Sequence, residues 1–376
     1  MKKSNIIQYR PHLEALFPYP AGKPIEEVQR EIGLKSVVKL ASNENPLGPS
    51  PKAIEASIQS LRDAHYYPEG SAYYLRHALA KKLRVKPEQL IFGNGTDELI
   101  ILLMLTYLGV DEKLVISEKA FIRYQMAAML NNSAFVSVPM QYSEPKKGQL
   151  LWKHDVKALA KAVDKKTRVI CLSNPNNPLG SWIERDELEW LLEHVPKRTL
   201  VFYDEAYFEY AKGLSNHPDG LDYLDQYPNL IVSRTFSKAY GLAGFRVGYC
   251  VAHPELIQGF ERVRPPFNVS RVAQAAATAA LSDIEHVRNT VRLTREGIKR
   301  TVRELNGMGY NVIPSRANFV TIDVRRDSRE LAQVLMQEGV IVRPLAGFMM
   351  PELMRVTIGL PEEMEHFMRA LRKATM

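Results

Sequence analysis

Only two cysteines occur in the 376 residues, Cys171 and Cys250, and both lie inside apolar runs. That excludes a disulfide framework, and a cysteine-ligated zinc centre with it. The nine histidines are scattered singly and read as structural or surface residues rather than metal ligands. No apolar run approaches the length of a membrane span. The longest, residues 99–105, has seven residues and reads as a buried helix. The N-terminal residues 1–10 are polar and lack the apolar core of a secretory signal, so a cytoplasmic protein is expected. Internal repeats and low-complexity tracts are also missing.

Hydrophobic residues make up 45% of the chain, enough for a sizeable core, and the charged fraction of 24% is ordinary for a globular protein. The net charge of +8 raises the question of nucleic acid. Its sharpest expression is Arg288, Arg292, Arg295, Lys299 and Arg303, at helical spacing beside the apolar Val291, Ile298, Val302 and Leu305. No nucleic-acid-binding motif accompanies the stripe, so it reads as a solvated helix face.

From residue 90 to 251, short apolar runs alternate with helical stretches. Strands are expected at 90–92, 114–117, 135–138, 169–172, 200–203, 230–233 and 247–251. Helices are expected at 97–108, 122–130, 155–163 and 185–193. Runs without polar alternation suit strands covered on both faces, and this succession means an α/β layer with a mostly parallel sheet. Residues 270–305 read as one long helical region, followed by short strands near 318–323, 340–342 and 354–357 and a helix at 362–372. The expected division is a large domain, 41–265, and a smaller α+β domain formed by 266–376 with an N-terminal arm, 1–40.

In such a sheet, ligands collect at the carboxyl ends of the strands, and the unusual residues fall there. After the run 230–233 comes Thr235-Phe236-Ser237-Lys238-Ala239-Tyr240-Gly241, then Arg246. Hydroxyls and an arginine suit a phosphate, and a half-buried lysine beside cations has the lowered pKa needed to attack a carbonyl. Gly93-Asn94-Gly95-Thr96-Asp97 ends a strand and opens a helix, a place where free amides bind anions or where Thr96 simply caps. Ser173-Asn174-Pro175-Asn176-Asn177-Pro178 is either a turn or a set of amide donors. Asp204, at the end of a buried run, requires a cationic or donor partner, and Tyr207 comes three residues later. Arg355, inside an apolar strand pattern, requires a carboxylate or a phosphate.

One cofactor would use all these parts: pyridoxal phosphate, which needs a lysine, an acid facing its ring nitrogen, donors to its 3′-oxygen, a phosphate cup and an aromatic stacker. The motifs Asn43-Glu44-Asn45-Pro46, Tyr67-Pro68-Glu69-Gly70, Gly93-Asn94-Gly95-Thr96-Asp97-Glu98, Pro175-Asn176-Asn177-Pro178 and Asp204-Glu205-Ala206-Tyr207 stand in order before Ser237-Lys238 and Arg246. The set resembles the fold-type I aminotransferases across nearly the whole chain. More narrowly, with Pro266-Phe267-Asn268-Val269-Ser270, it resembles their histidinol-phosphate branch.

The resemblance implies a homodimeric, pyridoxal-phosphate-dependent enzyme that transfers an amino group between glutamate and imidazole acetol phosphate in histidine biosynthesis. Lys238 would be the Schiff-base lysine and proton shuttle, and Asp204 would keep the ring nitrogen protonated. Tyr207 and Asn177 would bind the 3′-oxygen. Gly95, Thr96 and Asp97 at the helix start, with Thr235, Ser237 and Arg246, would hold the phosphate end. Phe121 would stack on the ring. Tyr67 would arrive from the other subunit. Arg355, Arg343, Tyr19 and Asn43 would line the substrate pocket. Two departures stand out: Leu179 replaces a threonine usual in the family, and the proline common before the stacking aromatic is missing ahead of Phe121. An aromatic amino-acid aminotransferase, a decarboxylase of a phosphorylated amino acid and a non-catalytic binding protein on the same scaffold are the alternatives.

Overall fold

The structure, a computed structural model, describes residues 9–18, 22–34, 36–146 and 149–374. Its centre is a seven-stranded sheet in the order Leu90–Gly93, Gly248–Ala252, Leu230–Thr235, Leu200–Asp204, Thr167–Ser173, Lys113–Ser117 and Ala134–Val138. Gly248–Ala252 runs antiparallel to both its neighbours, and the strands from Leu230–Thr235 outward to Ala134–Val138 pair in parallel. Every residue of Leu200–Asp204 and of Leu230–Thr235 is buried. Helices cover both faces, which is why these runs carry no polar alternation. The expected α/β class with a mostly parallel central sheet is what the chain forms.

A second sheet of six strands joins Arg343–Pro344, Leu353–Thr357, Phe319–Asp323, Asn311–Ile313, Gln149–Lys153 and Gln141–Lys146. The last two come from the middle of the chain, and Val312 pairs with Gln149. The strands Gln141–Lys146 and Gln149–Lys153 therefore belong to the C-terminal sheet rather than the large one. Between the two layers lies an apolar cluster that includes Met140, Leu150, Leu179, Ile313 and Leu345. Val38–Lys39 pairs with Val340–Ile341, tying the N-terminal segment to the C-terminal part of the chain.

The helical region expected at 270–305 is two helices, Arg271–Ser282 and Ile284–Gly307. Asp283 interrupts them with non-helical dihedrals, and its side chain accepts from the amide of His286 at 3.4 Å. An N-cap aspartate inside a helical pattern starts a new helix rather than continuing the old one.

Candidate active site

The carboxyl ends of the central strands and the loop 41–46 enclose a cavity of about 400 Å³. It is lined by Asn43, Thr96, Asp97, Phe121, Asn177, Asp204, Tyr207, Thr235, Ser237, Lys238, Arg246, Arg343 and Arg355, residues the sequence places far apart. The loop 41–46 reaches the lysine because Gly241 permits it. At φ +70°, Gly241 lies so close to Gly48 that an added Cβ would be 2.1 Å from the Gly48 carbonyl oxygen.

Lys238 is half-buried, and its ammonium donates to the Ser42 carbonyl at 3.1 Å. Burial brings its pKa down to about 8; Arg355, Arg246 and Lys39 push the same way, while Glu44 opposes them. About a tenth of the amine is therefore neutral at pH 7 and about half at pH 8, against far less for an ordinary lysine, and the neutral form is the one that attacks a carbonyl.

Asp204 ends a strand that is buried throughout, so its carboxyl is desolvated and its pKa rises to about 6. Two donors counter this. Tyr124 Oη donates to Oδ2 at 2.6 Å, and the Ala206 amide donates to Oδ1 at 3.1 Å. Three residues on, Tyr207 Oη accepts from Asn43 Nδ2 at 2.8 Å. Asn43 is itself held by Thr357, whose hydroxyl donates to Asn43 Oδ1 at 3.1 Å and accepts from the Asn43 amide at 2.9 Å. The second sheet thus fixes a residue that bears on the first.

Asn177 and Arg355 meet in the same way. Arg355 Nη1 donates to Asn177 Oδ1 at 2.6 Å, and Nη2 donates to the Ala41 carbonyl at 2.7 Å. Its guanidinium lies 5.3 Å from the ring centre of Phe319. Arg343 sits opposite Arg355 in the strand register, which places two cations on one side of the cavity. The peptides Asn174-Pro175 and Asn177-Pro178 are both cis.

A third group forms an anion cup. Gly95 opens the helix Gly95–Tyr107 at φ +75°, and an added Cβ there would be 2.3 Å from Arg246 Nη2. The backbone amides of the helix start and the guanidinium therefore converge, as an anion requires. Arg246 Nη1 lies 3.5 Å from Ser237 Oγ, and the Ser237 amide donates to Thr235 Oγ1 at 3.1 Å. Asp97 faces Arg123, whose Nη2 donates to Asp97 Oδ2 at 3.1 Å.

Phe121 lines the cavity and meets Tyr124 edge-on, with ring centres 5.7 Å apart. Tyr67 is not brought to this cavity within its own chain: it is 79% exposed and stacks on Phe267 at 4.9 Å. Tyr19 lies outside the described residues. Sequence reasoning missed Tyr124, hidden in an ordinary helical pattern, and the ion pair of Lys39 with Glu44 at 2.8 Å, both of which line the cavity.

These donors fit pyridoxal phosphate: a lysine with a depressed pKa, a buried carboxylate, an anion cup built around a glycine and an aromatic ring, all facing one cavity. Among the described residues no cluster of His, Cys, Asp and Glu could hold a metal ion.

The chain belongs to the aminotransferase class I and II family, which it matches over residues 35–371. It is 46% identical to a histidinol-phosphate aminotransferase of Anaeromyxobacter sp., an alignment covering 96% of this chain and 97% of the relative. It is 44% identical to the histidinol-phosphate aminotransferase of Moorella thermoacetica, over 95% and 90% of the two chains. Among solved structures, it superposes on histidinol-phosphate aminotransferase from Sinorhizobium meliloti in complex with pyridoxal-5′-phosphate. There the TM-score is 0.87 at 28% identity, covering 99% of this chain and 98% of that one.

Proposed function

We propose that this aminotransferase uses pyridoxal phosphate to exchange an amino group between glutamate and imidazole acetol phosphate, giving histidinol phosphate and 2-oxoglutarate. When bound, the cofactor supplies an aldehyde that captures the substrate amine and a ring that withdraws electrons from the carbon bearing it. Lys238 holds the cofactor, and its Nζ accepts the proton from that carbon. Asp204 keeps its charge against the ring nitrogen, with Tyr124 and the Ala206 amide supporting it. Tyr207 and Asn177 orient the 3′-oxygen. Gly95, Thr96, Thr235, Ser237 and Arg246 receive the phosphate, Asp97 steadies Arg123 beside them, and Phe121 packs on the ring.

The observation that carries the substrate reading is Arg355, buried and clamped by Asn177 and the Ala41 carbonyl in the cavity that holds Lys238. A planar fork of donors accepts a carboxylate in one half-reaction and a phosphate in the other. Arg343, Asn43 and Tyr19 complete that pocket in this reading. The same reading takes residues 41–265 as the large domain, and residues 1–40 with 266–376 as the small one. The protein is a cytoplasmic homodimer whose Tyr67 serves the neighbouring subunit. The 79% exposure of Tyr67 supports that role, and no helix among the described residues is long and apolar enough to cross a membrane.

The deciding experiment is an amino-donor panel of histidinol phosphate, phenylalanine and tyrosine with 2-oxoglutarate as acceptor. Histidinol phosphate is expected to give the highest kcat/KM. Equal or better activity with phenylalanine would assign the chain to the aromatic amino acids instead, and release of carbon dioxide from a phosphorylated amino acid would identify a decarboxylase.

A further inference from the structure

The cationic stripe of the helix Ile284–Gly307 plays no part in the site above. It forms one wall of a second cavity, about 710 Å³, which shares no lining residue with the Lys238 cavity. That volume lies in the range of small-molecule sites. A solvated helix face accounts for the charges but not for the cavity or for the aromatic floor beneath them.

The cations are of two kinds. Arg295 is committed to the fold: its Nε and Nη2 donate to the Tyr210 carbonyl at 3.0 and 2.8 Å, and Nη2 also donates to the Lys212 carbonyl at 2.7 Å. Arg234, at the floor, is neutralised by Glu205 and Asp219 at 2.6 Å each. Arg288, Arg292 and Lys299 are exposed, and among the described residues no carboxylate lies within 4.0 Å of their charged groups. On the same helix, Arg300 pairs with Glu304 and Glu365.

Around the neutralised Arg234, whose guanidinium lies 3.5 Å from the ring centre of Phe208, the floor is apolar. Phe208 and Tyr240 are nearly buried, and Val287 and Val291 come up from the helix itself. Lys82 and Lys212 border it, 5.4 Å from the ring centre of Tyr240 and 5.5 Å from that of Phe208. Two carboxylates, Glu209 and Glu296, also line the cavity. Burial raises the pKa of Glu209, and the two carboxylates are outnumbered by Lys82, Lys212, Arg288, Arg292 and Lys299. The balance is cationic over an aromatic base.

We infer that this groove binds a small molecule joining a planar aromatic ring to a phosphate, of the size of a nucleoside monophosphate. The ring rests on the floor by Tyr240 and Val291, and the phosphate meets Arg288 and Arg292, with Lys299 adding to the positive field about three turns along the helix. Arg288 and Arg292 stand one helical turn apart, so a dianion with three acceptor oxygens reaches both, where a single carboxylate satisfies one.

The test uses adenosine 5′-monophosphate as probe, titrated calorimetrically into the cofactor-loaded enzyme, with adenosine and inorganic phosphate as its two halves. Saturable binding is expected, with each half at least tenfold weaker than the whole. The double substitution Arg288→Glu/Arg292→Glu should weaken binding of the monophosphate at least tenfold. It should leave kcat/KM for transamination within twofold, because neither residue touches the Lys238 cavity. Val291→Trp, which fills the floor without changing charge, should weaken it as well. No binding, equal binding of inorganic phosphate and the monophosphate, or parental affinity in the charge-reversed variant would overturn the inference.

Discussion

Tyr124 Oη donates to Oδ2 of Asp204 at 2.6 Å, and it does so from a fully buried position behind the carboxylate. Burial raises the Asp204 pKa to about 6, and the Tyr124 hydroxyl is the larger of the two influences holding it down. Tyr124→Phe removes that donor and lets the pKa climb further. A hydrogen bond to a charged group is worth about 1.5–3 kcal/mol, and each unit of pKa corresponds to about 1.4 kcal/mol. The acid limb of cofactor affinity, followed spectrophotometrically on the cofactor-free protein, should therefore move up by about one to two pH units. An unmoved limb would mean that Tyr124 only fills space.

The same carboxylate imposes a stability cost. The folded pKa of Asp204 lies above its unfolded value, so its contribution to stability is fully present below pH 3.8 and is lost as pH rises through about 6. At pH 7.5 the cofactor-free protein carries an ionised, desolvated group. Asp204→Asn should therefore raise its melting temperature at pH 7.5, by at most ~3 kcal/mol of stability. Near pH 3.5 the advantage should vanish. Transamination should fall by orders of magnitude in the same variant. A variant less stable than the parent at pH 7.5 would show that the carboxylate is stabilised by more than its two donors.

Arg355 and Lys238 are coupled through charge. The arginine is the largest electrostatic influence lowering the lysine pKa to about 8, after burial itself. Covalent attachment of pyridoxal phosphate to the cofactor-free enzyme should therefore speed up with pH and level off above about 8, as neutral amine accumulates. Arg355→Leu should shift that midpoint upward, because a repelling charge has gone. It should also lower kcat/KM by about 30-fold or more for both the carboxylate and the phosphate substrate, since a buried arginine bound to an anion contributes about 2–5 kcal/mol. Stopped-flow absorbance across pH measures the first effect, and steady-state kinetics the second.

Much of the fold and site was legible because parallel strands announce themselves twice, as buried apolar runs and through the polar residues at their carboxyl ends. The runs at 200–203 and 230–233 end at Asp204 and shortly before Lys238, and both side chains line the cavity. Tyr124 was not legible: its partner lies 80 residues further along, and nothing in its helical neighbourhood signals a buried acceptor. The paired strands Gln141–Lys146 and Gln149–Lys153 were missed for a related reason. Gln141, Ser143 and Glu144 lack the apolar character of a strand, and their partner strand at Asn311–Ile313 is remote in the chain. The departure at Leu179 becomes intelligible only in three dimensions. The side chain is fully buried against Ile313 and Leu345, so a leucine there packs the two layers together.

Tyr67 provides the sharpest test of assembly. Within its own chain it is 79% exposed and reaches no part of the cavity that holds Lys238. If it completes a neighbour's phosphate cup, Tyr67→Ala and Lys238→Ala should complement one another. In a hybrid dimer, the subunit carrying Tyr67→Ala keeps its lysine and receives an intact tyrosine from the Lys238→Ala subunit. One site of the two is then whole. Activity per hybrid dimer should approach half that of the parent, while the Lys238→Ala homodimer is inactive and the Tyr67→Ala homodimer binds the cofactor more weakly. Action within one chain predicts the opposite result: the only lysine-bearing site would still lack its tyrosine, and the hybrid would stay at or below the level of the Tyr67→Ala homodimer. Mixing differently tagged subunits, isolating the hybrid by two affinity steps and measuring its turnover at subsaturating cofactor separates the two arrangements.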